Sequence, residues 1–203
     1  MGVLNQDIKK MKRRKIVLID GMPTAGKSTT SYNLAKKLPG WVFIDIWRIK
    51  DIFEPLGYST DLDKSEMQSL MDISKKATIM IAREVIKSTQ RNIILQEATT
   101  DFIKKKIGKD LKKYNYKIYT VQLTVPFKQA IKRNLKRNKP TLNFINTWTE
   151  ERWNDKIKRK TKKGDIVVDT FKNNPEKVVE IILKSIDEKP KKHPYEDRIR
   201  RFW

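Results

Sequence analysis

The segment GMPTAGKS, Gly21 to Ser28, places two glycines around a short loop and follows them with lysine and serine. Glycine lets the chain turn with its amides facing inward, and a helix starting near Lys27 adds the positive end of its dipole to the resulting anion site. Lys27 then reaches the outer phosphates of a nucleoside triphosphate and the Ser28 hydroxyl helps hold magnesium, with Thr24, Ala25, Gly26 and Thr29 completing the cradle. A second pair of interest is Asp45 and Arg48, spaced D-x-x-R. A carboxylate there can orient a hydroxyl and take its proton as phosphoryl transfer proceeds, and the arginine can clamp an anionic group; the plainer alternative is a helix N-cap followed by a surface arginine. The chain has no cysteine and one histidine, His193, in a Pro- and Lys-rich tail, so a general base in the core must be a carboxylate. Glu97 is a further acidic candidate, for a metal-bound water, an acceptor hydroxyl or the cap of a turn.

Elements that could position these residues are legible from the apolar pattern. Ile16 to Asp20 reads as a fully buried strand, because its apolar residues run without alternation. Helix one runs from about Lys27 to Leu38 and stops at Pro39-Gly40; Trp41 to Ile44 is a second strand that delivers Asp45 at its carboxyl end. A long helical pattern covers Asp61 to Gln90, Asn92 to Gln96 forms a third strand ending in Glu97, and Asp101 to Tyr114 returns as a basic helix. Tyr116 to Val125 is the fourth strand, Phe127 to Arg137 a helix, Asp165 to Val168 the fifth strand and Pro175 to Ile186 the closing helix. Alternation of this kind predicts an α/β domain with a mostly parallel five-stranded sheet covered on both faces. Gly21, Asp45 and Glu97 all fall at the carboxyl ends of strands, where such sheets bind ligands.

Lys and Arg total 46 against 24 Asp and Glu, a net charge of +22 that predicts attraction to polyanions, nucleic acid first among them. The run KKMKRRK, Lys9 to Lys15, is either a nucleic-acid contact or a solvated arm, and Trp148, Trp153 and Phe144 among Lys139, Arg152 and Arg159 either stack unpaired bases or pack a lid helix. Lack of cysteine fits a reducing cytoplasm, and no apolar run approaches the roughly 20 residues that span a bilayer, so no membrane partner is expected. NKPT at Asn138 carries only half of a guanine-reading motif, and Gln96-Glu97 replaces the acidic pair of ring-forming ATPases.

GMPTAGKS, then DIWR at Asp45 to Arg48, then an arginine-bearing helix, resembles the P-loop kinases, and most closely the polynucleotide 5′-hydroxyl kinases among them. The resemblance implies a P-loop kinase fold with a short helical lid and an ATP- and Mg2+-dependent transfer to a hydroxyl of RNA or DNA, at the 5′ end. It gives Lys27 and Ser28 the phosphate and metal, Asp45 the role of general base and Arg48 the acceptor's phosphate. A kinase domain then covers residues 1–187, with a lid at about 133–160 and a basic tail at 188–203. Arg133 and Arg137, four apart on one helical face, are the lid arginines that neutralise the transferring group. Asp169 and Thr170 open the loop that lies along the adenine in small kinases. The loop is also similar to chloramphenicol-type antibiotic phosphotransferases, and nucleoside and nucleotide kinases share the layout, so a small-molecule acceptor is an alternative. A third alternative is a nucleotide-gated RNA-binding protein without transfer activity.

Overall fold

The unbroken apolar run at the start of the chain becomes the centre of the sheet. β1 (Arg14–Gly21) has Ile16, Val17, Leu18 and Ile19 without solvent exposure, as a strand covered on both faces requires. A computed structural model describes residues 13–53, 63–89, 91–96, 100–136 and 148–191. In chain order the remaining elements are α1 (Lys27–Lys37), β2 (Val42–Asp45), α2 (Ile46–Phe53), α3 (Lys64–Glu84), β3 (Ile93–Gln96), α4 (Thr100–Lys113), β4 (Tyr116–Thr124), α5 (Phe127–Leu135), α6 (Glu150–Lys160), β5 (Ile166–Asp169) and α7 (Pro175–Ser185). The strands lie in the order β2-β3-β1-β4-β5 and every pairing is parallel. The expected mostly parallel sheet is thus wholly parallel among the described residues.

Successive residues of a strand point to opposite faces, and the two cores follow that alternation. Val17, Ile19, Ile94, Val121 and Leu123 pack with Leu34 of α1, Trp153 of α6 and Val178 and Ile182 of α7. Ile16, Leu18, Ile93 and Leu95 pack on the other face with Ile49 of α2, Ile79 of α3 and Ile103 and Ile107 of α4. Helices therefore cover both faces, as the alternating pattern predicts.

Differences from the sequence-based expectations have local causes. α3 starts at Lys64 because Asp63 forms a capping box: its Oδ1 accepts from Ser65 N at 2.6 Å and Glu66 N at 2.9 Å, while Glu66 Oε2 accepts from Asp63 N at 2.9 Å. Its far end widens into a π-helical turn, Val85–Thr89. α2 has no counterpart in the expected elements, since it follows β2 directly with no turn residue to announce it. Lys15 leaves the basic run to become structural: only 7% exposed, its Nζ donates to Ile186 O at 2.6 Å, Asp187 O at 3.0 Å and Glu188 Oε1 at 2.7 Å. A lysine so placed satisfies the carbonyl end of α7 and suits its dipole. Lys9 to Lys12, and the tail from 192 onward, lie outside the described residues.

Candidate functional site

β1 ends by turning into the loop Gly21–Gly26, and each glycine has its own reason to be there. A Cβ on Gly21 would stand 2.5 Å from the carbonyl oxygen of Leu123 on neighbouring β4, a clash that backbone cannot relieve cheaply. Gly26 has φ +86 and open space around it, so its backbone conformation alone demands glycine. It also stands at the N-cap of α1, where no side chain satisfies the first amides of the helix and no acidic residue occupies the first turn. Those amides and the positive end of the helix dipole form an anion site.

Thr24 adopts φ +61, unusual for a β-branched residue. α5 holds it there: Thr24 Oγ1 donates to Ala130 O at 3.3 Å, and Arg133 Nη1 donates to Thr24 O at 3.3 Å. The same guanidinium donates to Thr170 Oγ1 at 2.9 Å and Thr170 O at 2.7 Å, linking the loop to the end of β5. Lys27 Nζ lies across the concave side of the loop, donating to Gly21 O at 3.0 Å and Met22 O at 3.1 Å. Asp20, 2% exposed, anchors the loop's root; it accepts from Gly21 N, from Thr100 Oγ1 at 2.9 Å and from Lys160 Nζ of α6 at 2.6 Å.

A cavity of about 1040 Å³ opens over this loop. Its wall includes Gly21, Thr24, Gly26, Lys27, Ser28 and Thr29 from the loop and α1, Arg133 from α5, Trp148, Lys156 and Lys160 from α6 and the segment before it, and Thr170, Phe171 and Asn173 beyond β5. Four cations and no carboxylate line it among the described residues, which makes it a place for a polyanion. α6 supplies its share by periodicity: Trp153 and Ile157 turn to the core while Lys156 and Lys160 reach the cavity.

Asp45 stands two strands away, at the end of β2. Its register partner is Gln96 on β3, and partners in a parallel sheet share a face; Gln96 Nε2 donates to Ser28 Oγ at 3.1 Å. Asp45, Gln96 and Ser28 therefore form a row along one side of the sheet. One carboxylate oxygen of Asp45 accepts from Trp47 N at 3.0 Å, so it does cap α2, and the other lies 4.0 Å from Arg48 Nε. Burial pushes the Asp45 carboxyl above its usual 3.8 and the neighbouring Asp51 charge adds to that, against the opposing pull of the Trp47 and Arg48 amides and the Arg48 guanidinium.

Other expected residues take different places. Ala25 turns into the core without exposure, and its amide donates to Met22 O at 3.2 Å. Arg48 is about half exposed and does not line the cavity; Trp47, its neighbour on α2, does. Asp169 Oδ1 closes its own turn, accepting from Phe171 N at 2.8 Å and Lys172 N at 3.3 Å, and the half-exposed Phe171 ring presents a flat face to the cavity instead. Trp153, expected as a base-stacking candidate, is a core residue: without exposure, it donates from Nε1 to Val125 O at 2.9 Å and meets Trp148 edge-on at 5.7 Å. Trp148 keeps a place on the cavity wall. Glu97, Arg137 and Phe144 lie outside the described residues. Sequence reasoning missed Asp20, Trp47, Lys156, Lys160 and Phe171; the four-residue spacing of Lys156 and Lys160 was the one available signal.

No protein-family model matches the sequence, and no curated protein matches it. Solved structures do. A putative kinase from Chloroflexus aurantiacus superposes with a TM-score of 0.62 at 15% identity, over 87% of this chain and 98% of that one. The APS kinase CysC of Mycobacterium tuberculosis, in complex with AMPPNP and APS, gives 0.60 at 12% identity over 88% and 100%. The tunicamycin resistance protein of Deinococcus radiodurans gives 0.58 at 20% identity over 88% and 98%. The fold is that of the P-loop kinases. Among the described residues no helix is long and apolar enough to cross a membrane, and no group of three or more His, Cys, Asp or Glu could hold a metal ion.

Proposed function

We propose that the protein is an ATP- and magnesium-dependent phosphotransferase that moves the γ-phosphoryl group to a hydroxyl of RNA or DNA, at the 5′ end. The observation that carries the reaction type is the cation-lined cavity over a glycine-turned loop and helix N-terminus, with a desolvated carboxylate one strand beyond Gln96 and Ser28. Phosphoryl transfer asks the protein for positioning and charge neutralisation more than for covalent chemistry. The loop amides and Lys27 would hold the β- and γ-phosphates, and Arg133, Lys156 and Lys160 line the same cavity. Asp45 would orient the incoming hydroxyl and take its proton; its partial desolvation favours that uptake. Ser28 Oγ and the unpartnered Oε1 of buried Gln96 suit a hydrated magnesium ion. Bound there, magnesium would neutralise and orient the phosphate oxygens. Trp47 and Arg48 would meet the acceptor, Phe171 and Thr170 the base, and Glu97 and Arg137 would join from the acceptor side and the lid at residues 133–160.

The net charge of +22 favours a polymeric acceptor, because contact with several phosphates releases counterions. A small hydroxylated acceptor is the second reading, favoured by the similarity in fold to an APS kinase bound to APS and to a sugar kinase. Incubation with γ-labelled ATP and, separately, 5′-hydroxyl oligonucleotides, transfer RNA and a panel of nucleosides and metabolites decides between them. Label on an oligonucleotide, lost in Asp45→Asn, is the expected result, and raising salt should suppress it far more than ATP hydrolysis. Label on a metabolite alone selects the second reading, and no transfer in any arm ends the phosphotransferase reading.

A further inference from the structure

Gln96 sits where the row from Asp45 to Ser28 meets the loop, and it is the residue there whose hydrogen bonding is incomplete. It closes β3 with none of its surface exposed; its Nε2 donates to Ser28 Oγ at 3.1 Å, and its Oε1 has no hydrogen-bond partner. Its register partners are Asp45 on one side and Ile19, two residues before Gly21, on the other. A buried amide oxygen without a donor is costly, so a donor is expected at that oxygen when the site is filled. Beside Ser28, the donor that fits is a water of a hydrated cation.

Resting on the nucleotide-site reading above, we infer that Gln96 positions the hydration water of the magnesium ion that accompanies the triphosphate, and that its neutrality leaves the balance of charge to the protein's own cations. A carboxylate at this place would repel the triphosphate until a metal intervened, and nucleotide binding would depend strongly on that metal. An amide keeps the hydrogen bond and omits the charge. Lys27, Arg133, Lys156 and Lys160 line the cavity with no described carboxylate among them, so the triphosphate meets compensating charge without the metal.

The test is titration of a fluorescent ATP analogue into the full chain, once in magnesium chloride and once in EDTA, for the wild type, Gln96→Glu and Gln96→Met. The readout is the ratio of the two dissociation constants. Wild type should show a ratio below about tenfold, and Gln96→Glu should raise it by about tenfold or more, since a like charge beside the phosphates weakens the metal-free complex. Gln96→Met, of similar volume and without an acceptor oxygen, should bring it towards one. A role limited to packing or to holding Ser28 would move both affinities together; an unchanged ratio in both variants overturns the inference, as does a wild-type ratio near a hundredfold. If the buried charge of Gln96→Glu unfolds the protein, Gln96→Met decides alone by the same criterion. No binding by the wild type in either buffer overturns the nucleotide-site reading itself, a distinguishable result.

Discussion

The two sides of the crevice are built differently. On the side of the phosphate loop, polar side chains are tied to backbone: Arg133 to the carbonyls of Thr24 and Thr170, Thr24 to Ala130, Lys27 to Gly21 and Met22. On the side of β2 and α2, one carboxylate reaches a single amide and a guanidinium at 4.0 Å, and Trp47, Ile52 and Phe53 remain exposed. Backbone-directed bonding gives a fixed cradle for a ligand that does not vary, whereas exposed side chains on a short helix can be exchanged without disturbing the sheet. The first side therefore reports the reaction class, and the second holds the acceptor specificity.

Lys27→Ala tests the fixed side most severely. Transfer should fall by about 10³-fold or more, as for removal of a principal charge stabiliser, with the circular dichroism spectrum unchanged; ordinary turnover in this variant would break the assignment. Asp45→Asn tests the variable side: transfer should drop by about 10²–10⁴-fold while affinity for the ATP analogue stays as it was. Loss of nucleotide affinity there would mean that the two sides are not separable. Arg133→Lys should be milder, lowering affinity for the analogue by about tenfold, because an ammonium cannot span Thr24 and both oxygens of Thr170 as a planar fork does. Equal affinity would show the link between loop and β5 to be dispensable.

The smallest effect concerns stability. A carboxyl whose pKa is raised on folding favours its protonated form, so ionised Asp45 costs the folded protein stability at neutral pH, and that cost disappears as pH falls towards 3.8. Asp45→Asn should thus melt slightly higher than wild type near pH 7, by about 2–4 °C for each kcal/mol relieved, and the gap should close in acid. Transfer by the wild type should fall on the acidic side at a pH above 3.8, where Asp45 takes up its proton. A melting difference independent of pH would remove desolvation of Asp45 as its cause.

Strand runs and glycine placement carried most of the fold, because a buried parallel strand must be apolar throughout and a phosphate-binding turn needs conformations that only glycine adopts freely. α2 escaped notice since Asp45 serves both as the last residue of β2 and as the cap of α2, leaving no separate signal between them. Trp153 looked available for stacking among its charged neighbours, yet the helical period turns it inward and the charges outward. Asp20 gave no sign of its place because its partners, Thr100 and Lys160, lie far along the chain.

By itself the sequence determined an anion-binding loop between the first strand and first helix, a sheet of parallel strands and a strongly basic surface. These follow from local rules: side-chain period, turn chemistry and net charge. Only the tertiary structure decided that Gln96 bridges Asp45 and Ser28, that Arg133 joins Thr24 to Thr170, and that Lys156 and Lys160 face the loop across one cavity. Those are relations between distant segments, set by strand order and helix packing, and no local pattern encodes them.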